Sequence, residues 1–327
     1  MPHAITHEES LDSYRSQIDF VLNSYKPHGM QLSRFQNIIL GGLGGSGIGA
    51  KIVSDYMQAS LSVPSQLIGD YDLPAYANDK TLVILSSYSG NTEETLSLQS
   101  QAQARGCAII TVTAGGELLK RSKELGYITY PIESGFQPRM TLGYSLSTLF
   151  LIFGELANID FVPQLRASMD LLSHPEPLKA EAAKIIDLFK GHENNKYITI
   201  CDTYTYASGI RFCQQLQENA KAEGFLSVLP ENNHNMIETY YGVHDSNFIL
   251  FNSGKNPRVN KRFGFVKALL EKNGQTVYDF SLEQFDIIAI YRSIYVLDWV
   301  SIYLSNSRKV DNMAIPNILD LKGFLSA

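Results

Sequence analysis

Cysteine is scarce in this chain. The three residues among 327, Cys107, Cys201 and Cys213, are odd in number and have no C-x-x-C spacing. That argues against a disulfide framework and against a zinc site, and each falls in a stretch that reads as strand or helix, so they are expected to be small core residues. Dense basic runs are missing as well. With 27 Lys+Arg against 33 Asp+Glu the formal charge is −6, and the pI lies near 5.7, so no nucleic-acid partner is expected and any anion site must be positive locally. The N-terminus lacks a basic region followed by an apolar core, and no apolar run reaches the roughly 20 residues needed to cross a bilayer. A cytoplasmic protein with no membrane partner is therefore expected. The lysine of a G-x-x-x-x-G-K-[ST] loop is also absent, so magnesium-assisted nucleotide chemistry is not indicated.

What is present is a globular composition, 44% hydrophobic and 18% charged, over a length that exceeds what one core usually organises, so two domains are expected. After an amphipathic helix at 11–25, strand-like runs at 37–40, 66–68, 82–85, 108–112 and 127–132 alternate with helix-like stretches. A long apolar helix is expected over 141–156, and Pro163, Pro175 and Pro177 after it suggest the boundary zone. The second half repeats the rhythm, with strands at 196–201, 225–228, 248–251 and 276–280 and helices at 204–221, 233–241, 258–272 and 284–305. Such alternation implies parallel sheets. The expected class is α/β, with two doubly wound parallel-sheet domains, 1–157 and 158–327, the second ending in a C-terminal helix. A weak echo between the halves suggests duplication.

Two loops stand out, each closing a strand and opening a helix: Gly41-Gly42-Leu43-Gly44-Gly45-Ser46-Gly47 and Ser86-Ser87-Tyr88-Ser89-Gly90-Asn91-Thr92. Glycines let backbone curl close to an oxyanion, and the N–H groups and positive dipole end of a helix N-terminus stabilise it. Gly45, Ser46, Ser87, Ser89 and Thr92 are the candidate phosphate-binding residues. Gly42-x-Gly44-x-x-Gly47 also fits a dinucleotide fingerprint, with Asp70 at a suitable distance for a ribose, but that fold does not need the Ser-x-Ser-x-x-Thr loop. The bland alternative is strand-to-helix punctuation, with Ser46 and Asn91 as caps.

With Pro138-Arg139, Glu218-Asn219-Ala220-Lys221, Pro230-Glu231-Asn232-Asn233-His234-Asn235 and Leu321-Lys322, these motifs run in one order across nearly the whole chain. The sequence resembles the bifunctional phosphoglucose/phosphomannose isomerases, which are built from two sugar-isomerase (SIS) domains, flavodoxin-like sandwiches. The resemblance implies reversible interconversion of glucose 6-phosphate, fructose 6-phosphate and mannose 6-phosphate. It also implies a homodimer in which His234 is donated to the partner's site. Met236 departs from the glutamate usual in the family, and Ala314-Ile315-Pro316 replaces a more polar stretch, which bears on mannose-type substrates.

An aldose–ketose isomerase must open the ring, move a proton between C1 and C2, and stabilise an enediolate. Glu218 matches the catalytic glutamate; by composition alone it would be a solvated helix residue paired with Lys221. Arg139 offers a fixed guanidinium for the enediolate oxygen, or else pairs with a carboxylate such as Glu133. His234 and Lys322 are assigned to ring opening; otherwise His234 would bond to Glu231 or Glu238, and Lys322 would be a solvated residue of the last helix. His234 and Glu238 at i, i+4 have no third ligand at sensible spacing, so no metal and no cofactor are expected. The rival readings are a SIS isomerase of another sugar phosphate, a phosphosugar-sensing SIS module without turnover, and a dehydrogenase.

Overall fold

The computed structural model describes residues 5–325. The chain forms two compact units, Asp12–Ser173 and, with Thr6–Leu11, everything from His174 onward. In unit 1 five strands, β1 (Asn37–Gly41), β2 (Ser65–Ile68), β3 (Thr81–Ser86), β4 (Ala108–Thr113) and β5 (Ile128–Pro131), make one sheet in the order β2-β1-β3-β4-β5. Every pairing is parallel; Leu40 of β1, for example, lies between Leu67 of β2 and Ile84 of β3. The run Thr-Leu-Val-Ile-Leu-Ser of β3 is buried throughout without alternating polarity, because helices cover both faces of the sheet. Ile39, Val83, Leu85 and Ile109 pack on one face against Leu98 and Ala102 of helix Glu93–Ala104 and Leu118 of helix Gly116–Glu124. Elsewhere helix Gly44–Met57 packs on the buried helix Leu142–Ala157, which also carries helix Tyr14–Ser24.

The strand order has a functional consequence. From β1 the chain winds outward to β2 and then returns to β3 on the other side, so the connections leaving β1 and β3 part there and leave a crevice at the carboxyl ends of the strands. Both glycine- and serine-bearing loops are at that crevice.

Some local expectations need correction. The boundary expected at residue 157 lies later, inside the zone marked by Pro163, Pro175 and Pro177; Pro163 and Pro177 themselves occupy the first turns of helices Val162–Leu172 and Glu176–Leu188, where the missing proline N–H would have had no intrahelical partner. The break between units falls between Ser173 and His174, because helix Val162–Leu172 packs on Tyr14–Ser24. The single helix expected at 11–25 is two, His7–Asp12 and Tyr14–Ser24.

Unit 2 has β6 (Lys196–Cys201), β7 (Gly224–Val228), β8 (Ser246–Asn252) and β9 (Val277–Ser281), all parallel in the order β7-β6-β8-β9. This repeats the winding of β2-β1-β3-β4, which gives the sequence echo a topological counterpart. The helix expected at 233–241 is instead two 3-10 turns, Glu231–His234 and Met236–Thr239, split at Asn235 (φ −151°, ψ −70°), whose side chain accepts from the Met236 amide. Asparagine side chains compete for the backbone in this way and oppose a regular helix. Helix Ile287–Arg308 is long and apolar enough by composition to cross a bilayer, yet 78% of its apolar window is buried inside the protein. Its Asp298 accepts from Arg211 Nη2 at 2.6 Å, both side chains being almost fully enclosed. It reads as a core helix.

Candidate active site

In unit 1 the loops after β1 and β3 are laced to each other. The Tyr88 amide donates to Ser46 Oγ at 3.0 Å, so a hydroxyl in the first turn of helix Gly44–Met57 holds the backbone of the serine loop. Within that loop Ser87 Oγ lies 2.9 Å from Thr92 Oγ1 and accepts from the Gly90 amide at 3.2 Å, while Ser89 Oγ accepts from the Asn91 amide at 3.3 Å. A hydroxyl that accepts still has its own proton to give, so Ser46 and Ser89 remain donors toward a ligand. Among the described residues no side chain caps helix Gly44–Met57 or helix Glu93–Ala104. The first-turn N–H groups of both helices thus donate no hydrogen bond to their N-cap side chains; the dipole end of helix Gly44–Met57 also has no acidic residue in its first turn, whereas helix Glu93–Ala104 begins with Glu93 and Glu94. Ser46 does not cap its own helix, and Asn91 satisfies a first-turn amide of a different one: its Oδ1 accepts from the Glu117 amide at 2.9 Å, at the start of helix Gly116–Glu124.

Two glycines let the loops close up. A Cβ on Gly45 would stand 2.8 Å from Pro138 O and 3.2 Å from Arg139 Cα, so the absence of a side chain admits the 3-10 turn Pro138–Met140 against the first loop. Gly90 sits at φ 67°, and a Cβ there would overlap Gly115 O. Arg139 is consequently beside the candidate phosphate loop, 4% exposed. Glu133, the carboxylate proposed for it in the bland reading, accepts a short hydrogen bond from Tyr144 OH. Burial, with Glu133 adding to it, pushes that phenol above its ordinary range. Asp70 of the dinucleotide alternative is exposed, and its carboxylate accepts from the neighbouring Tyr71 amide at 2.7 Å.

The other candidates lie in unit 2. Glu218 is half-buried near the C-terminus of helix Tyr206–Ala220. Lys221, the left-handed C-cap of that helix at φ 52°, places its ammonium on three carbonyls: Glu218 O at 2.6 Å, Asp311 O at 2.7 Å and Ala314 O at 2.7 Å. This lysine ties the helix that bears Glu218 to the chain leading into the last helix, Pro316–Leu325, which carries Lys322 on an exposed face. A cleft of about 480 Å³ lined by Gln217, Lys221, Phe225 and Asn317 lies at this junction. His234 is exposed at the end of its 3-10 turn, while Glu231 accepts from Asn235 Nδ2 at 3.0 Å. Thus the structure groups Gly45, Ser46, Ser87, Ser89, Thr92 and Arg139 in unit 1. Glu218 and the segment leading to Lys322 are joined in unit 2 through Lys221, and His234 stands on its own turn.

Residues 31–152 match the SIS domain, and residues 182–325 match the bacterial phospho-glucose isomerase C-terminal SIS domain. A bifunctional phosphoglucose/phosphomannose isomerase of Caldicellulosiruptor bescii is 33% identical over 304 residues, covering 88% of this chain and 89% of that one. The protein of the same name from Aquifex aeolicus is 31% identical over 299 residues, covering 89% and 91%.

The chain belongs to the bifunctional phosphoglucose/phosphomannose isomerase family.

Among solved structures, the glucosamine-6-phosphate deaminase of Thermotoga maritima shares the fold, with a TM-score of 0.74 at 14% identity over 95% of this chain and 97% of that one. The likeness extends to architecture only. For a member of this isomerase family, the sequence reading left out two elements of the site. The Tyr88 contribution is a backbone amide, which no residue pattern reports. The Lys221 contribution is its ammonium, which the left-handed position beyond the last helical turn puts over the carbonyls of Glu218, Asp311 and Ala314.

Proposed function

We propose that the protein is an aldose–ketose isomerase interconverting glucose 6-phosphate and fructose 6-phosphate, and also mannose 6-phosphate. The observation that carries this reading is the pair of helix N-termini without side-chain caps, joined by the Tyr88-to-Ser46 hydrogen bond and bordered by the buried Arg139, in a chain of this isomerase family. The phosphate takes its hydrogen bonds from Ser46, Ser87, Ser89, Thr92 and the loop amides around Gly45. Glu218 removes the proton at C2 of the aldose and returns it at C1, and the Arg139 guanidinium stabilises the enediolate oxygen that forms between these steps. His234 and Lys322 exchange protons with the ring oxygen during opening. The reading needs no metal and no cofactor, because carboxylate, imidazole and guanidinium cover each step.

The same reading makes the protein a cytoplasmic homodimer in which His234 serves the partner's site; the exposure of His234 on a surface turn supports the donation. The test is conversion of fructose 6-phosphate by purified protein in excess EDTA, with glucose 6-phosphate and mannose 6-phosphate followed in separate coupled assays. Both products are expected. Glucose 6-phosphate alone would narrow the activity and implicate the Ile315 segment; binding without turnover would replace the reading with a phosphosugar sensor or an isomerase of another sugar phosphate.

A further inference from the structure

Unit 2 repeats the winding of unit 1, with β6, β7, β8 and β9 in the places of β1, β2, β3 and β4. Its own crevice therefore lies where the loops leaving β6 and β8 part. Counted back from the helix that follows, Ser253-Gly254-Lys255-Asn256 takes the place of Ser89-Gly90-Asn91-Thr92. The local geometry agrees. The Lys255 amide donates to Ser253 Oγ at 3.2 Å as the Asn91 amide does to Ser89 Oγ at 3.3 Å, and Gly254 stands at φ 73° where Gly90 stands at φ 67°. Asn256 and Thr92 are the N-cap positions of helices Pro257–Lys272 and Glu93–Ala104.

What differs is the residue immediately after the first strand: Gly42 in unit 1, Asp202 in unit 2. The Asp202 carboxylate is 3% exposed and sits on both loops. Its Oδ1 accepts from the amides of Tyr204 at 2.9 Å and Thr205 at 3.0 Å, just ahead of helix Tyr206–Ala220; its Oδ2 accepts from the Ser253 amide at 2.9 Å and the Ser253 hydroxyl at 2.5 Å. With the Thr205 hydroxyl, 3.2 Å from Oδ1, three amides and two hydroxyls from two strand-to-helix loops thus converge on one internal anion. These are the donor types and loop positions read in unit 1 as a cradle for phosphate.

We propose that unit 2 contains a second oxyanion cradle whose resident anion is the Asp202 carboxylate, and that removing this carboxylate opens the cradle to inorganic sulfate or phosphate. The wild-type chain then takes a phosphate-bearing ligand only in unit 1. The comparison with unit 1 rests on the functional reading above, but the donor set around Asp202 stands by itself.

The experiment compares full-length wild type, Asp202→Ala and Asp202→Asn, unfolded thermally in sodium sulfate and in sodium chloride of equal ionic strength. Asp202→Ala is expected to be less stable than wild type in chloride and to gain more from sulfate than wild type does. Asp202→Asn, which keeps the cradle filled, is expected to gain no more than wild type. Calorimetric titration with sulfate is expected to find one more site per chain in Asp202→Ala than in wild type. Equal gains in all three proteins with unchanged stoichiometry would overturn the proposal. If Asp202→Ala is recovered unfolded, its refolding yield from denaturant decides: a yield restored by sulfate and not by chloride supports the cradle, and equal yields in both salts reject it. Because the readout is the difference between variant and wild type, a wild-type chain that binds no sulfate at all would count against the unit 1 reading only.

Discussion

Ser46 and Tyr88 stand on different loops, 42 residues apart, and are joined by one hydrogen bond: the Tyr88 amide donates to Ser46 Oγ at 3.0 Å. Ser46 has two tasks as a result. Its lone pair fixes the serine loop, and its proton is the one assigned to phosphate in the proposed function. Ser46→Ala should cost about 1–3 kcal/mol of stability, because it leaves a buried amide without its acceptor, and should also raise KM for fructose 6-phosphate. Ser89→Ala, at the exposed tip of the same loop, should weaken sugar-phosphate binding by about 1–2 kcal/mol with stability near wild type. Denaturant unfolding and calorimetric binding separate the two; equal stability losses would contradict the division of labour.

Gly45 is closed against Pro138 and Arg139. Gly45→Val must push that turn away or strain the loop, an overpacking cost of about 1–3 kcal/mol, and should displace the Arg139 guanidinium. Turnover should fall by tenfold or more. Wild-type kinetics in a Gly45→Val enzyme would show that the approach of the two turns is unimportant to the reaction.

Glu218→Gln preserves shape while removing the carboxylate proposed as the base. A general base contributes roughly 10²–10⁴-fold, so kcat should drop by that factor with fructose 6-phosphate affinity little changed. A variant that retains turnover would remove Glu218 from the chemistry, and one that loses binding instead would make it a substrate ligand.

Arg211 and Asp298 form an almost fully enclosed pair across helices Tyr206–Ala220 and Ile287–Arg308. Removing one partner leaves the other charge buried, so Arg211→Met or Asp298→Asn should each destabilise unit 2 by about 3–5 kcal/mol. The double variant should lose less than the sum. Additive losses in a thermodynamic cycle would mean that the two groups do not act as a pair.

The three thiols are all buried, and burial raises each above its ordinary range, Cys213 to about 11 and Cys201 well above that of a free thiol. A raised thiol pKa keeps the reactive thiolate scarce at neutral pH. The native protein should be inert to Ellman's reagent at pH 7.5, with three thiols appearing on denaturation. Rapid labelling of the native chain would indicate that at least one site opens readily.

Several features could be read from residue order alone. The strands of both units lie within a few residues of the expected runs, because a sheet covered on both faces demands short continuous apolar segments such as those at 82–85 and 248–251. Glycines followed by serines at strand ends pointed to the loops, since that chemistry is local. The family likeness followed from the same motifs. Other features were misread for equally local reasons. The break between units falls within the proline-marked zone but after Ser173 and not at 157, because proline in the first turn of a helix is well tolerated and Pro163 opens a helix that belongs to unit 1. The stretch after β7 looked helical by spacing, but Asn235 captures the following amide and splits it into two short turns.

The sequence by itself determined the α/β class, the parallel winding and the residue types at the strand ends, because these depend on periodicity and on groups close together in the chain. Only the tertiary structure decided which groups meet. Ser46 accepts from Tyr88 rather than capping its own helix, Gly45 admits the turn that bears Arg139, Lys221 gathers carbonyls from 218, 311 and 314, and Asp202 fills the loops of the second unit. Apart from the local bond from Lys221 to Glu218 O, each of these is a contact between segments far apart in the chain, and a hydrogen bond needs its partners within about 3 Å, a distance that residue spacing along the chain does not specify.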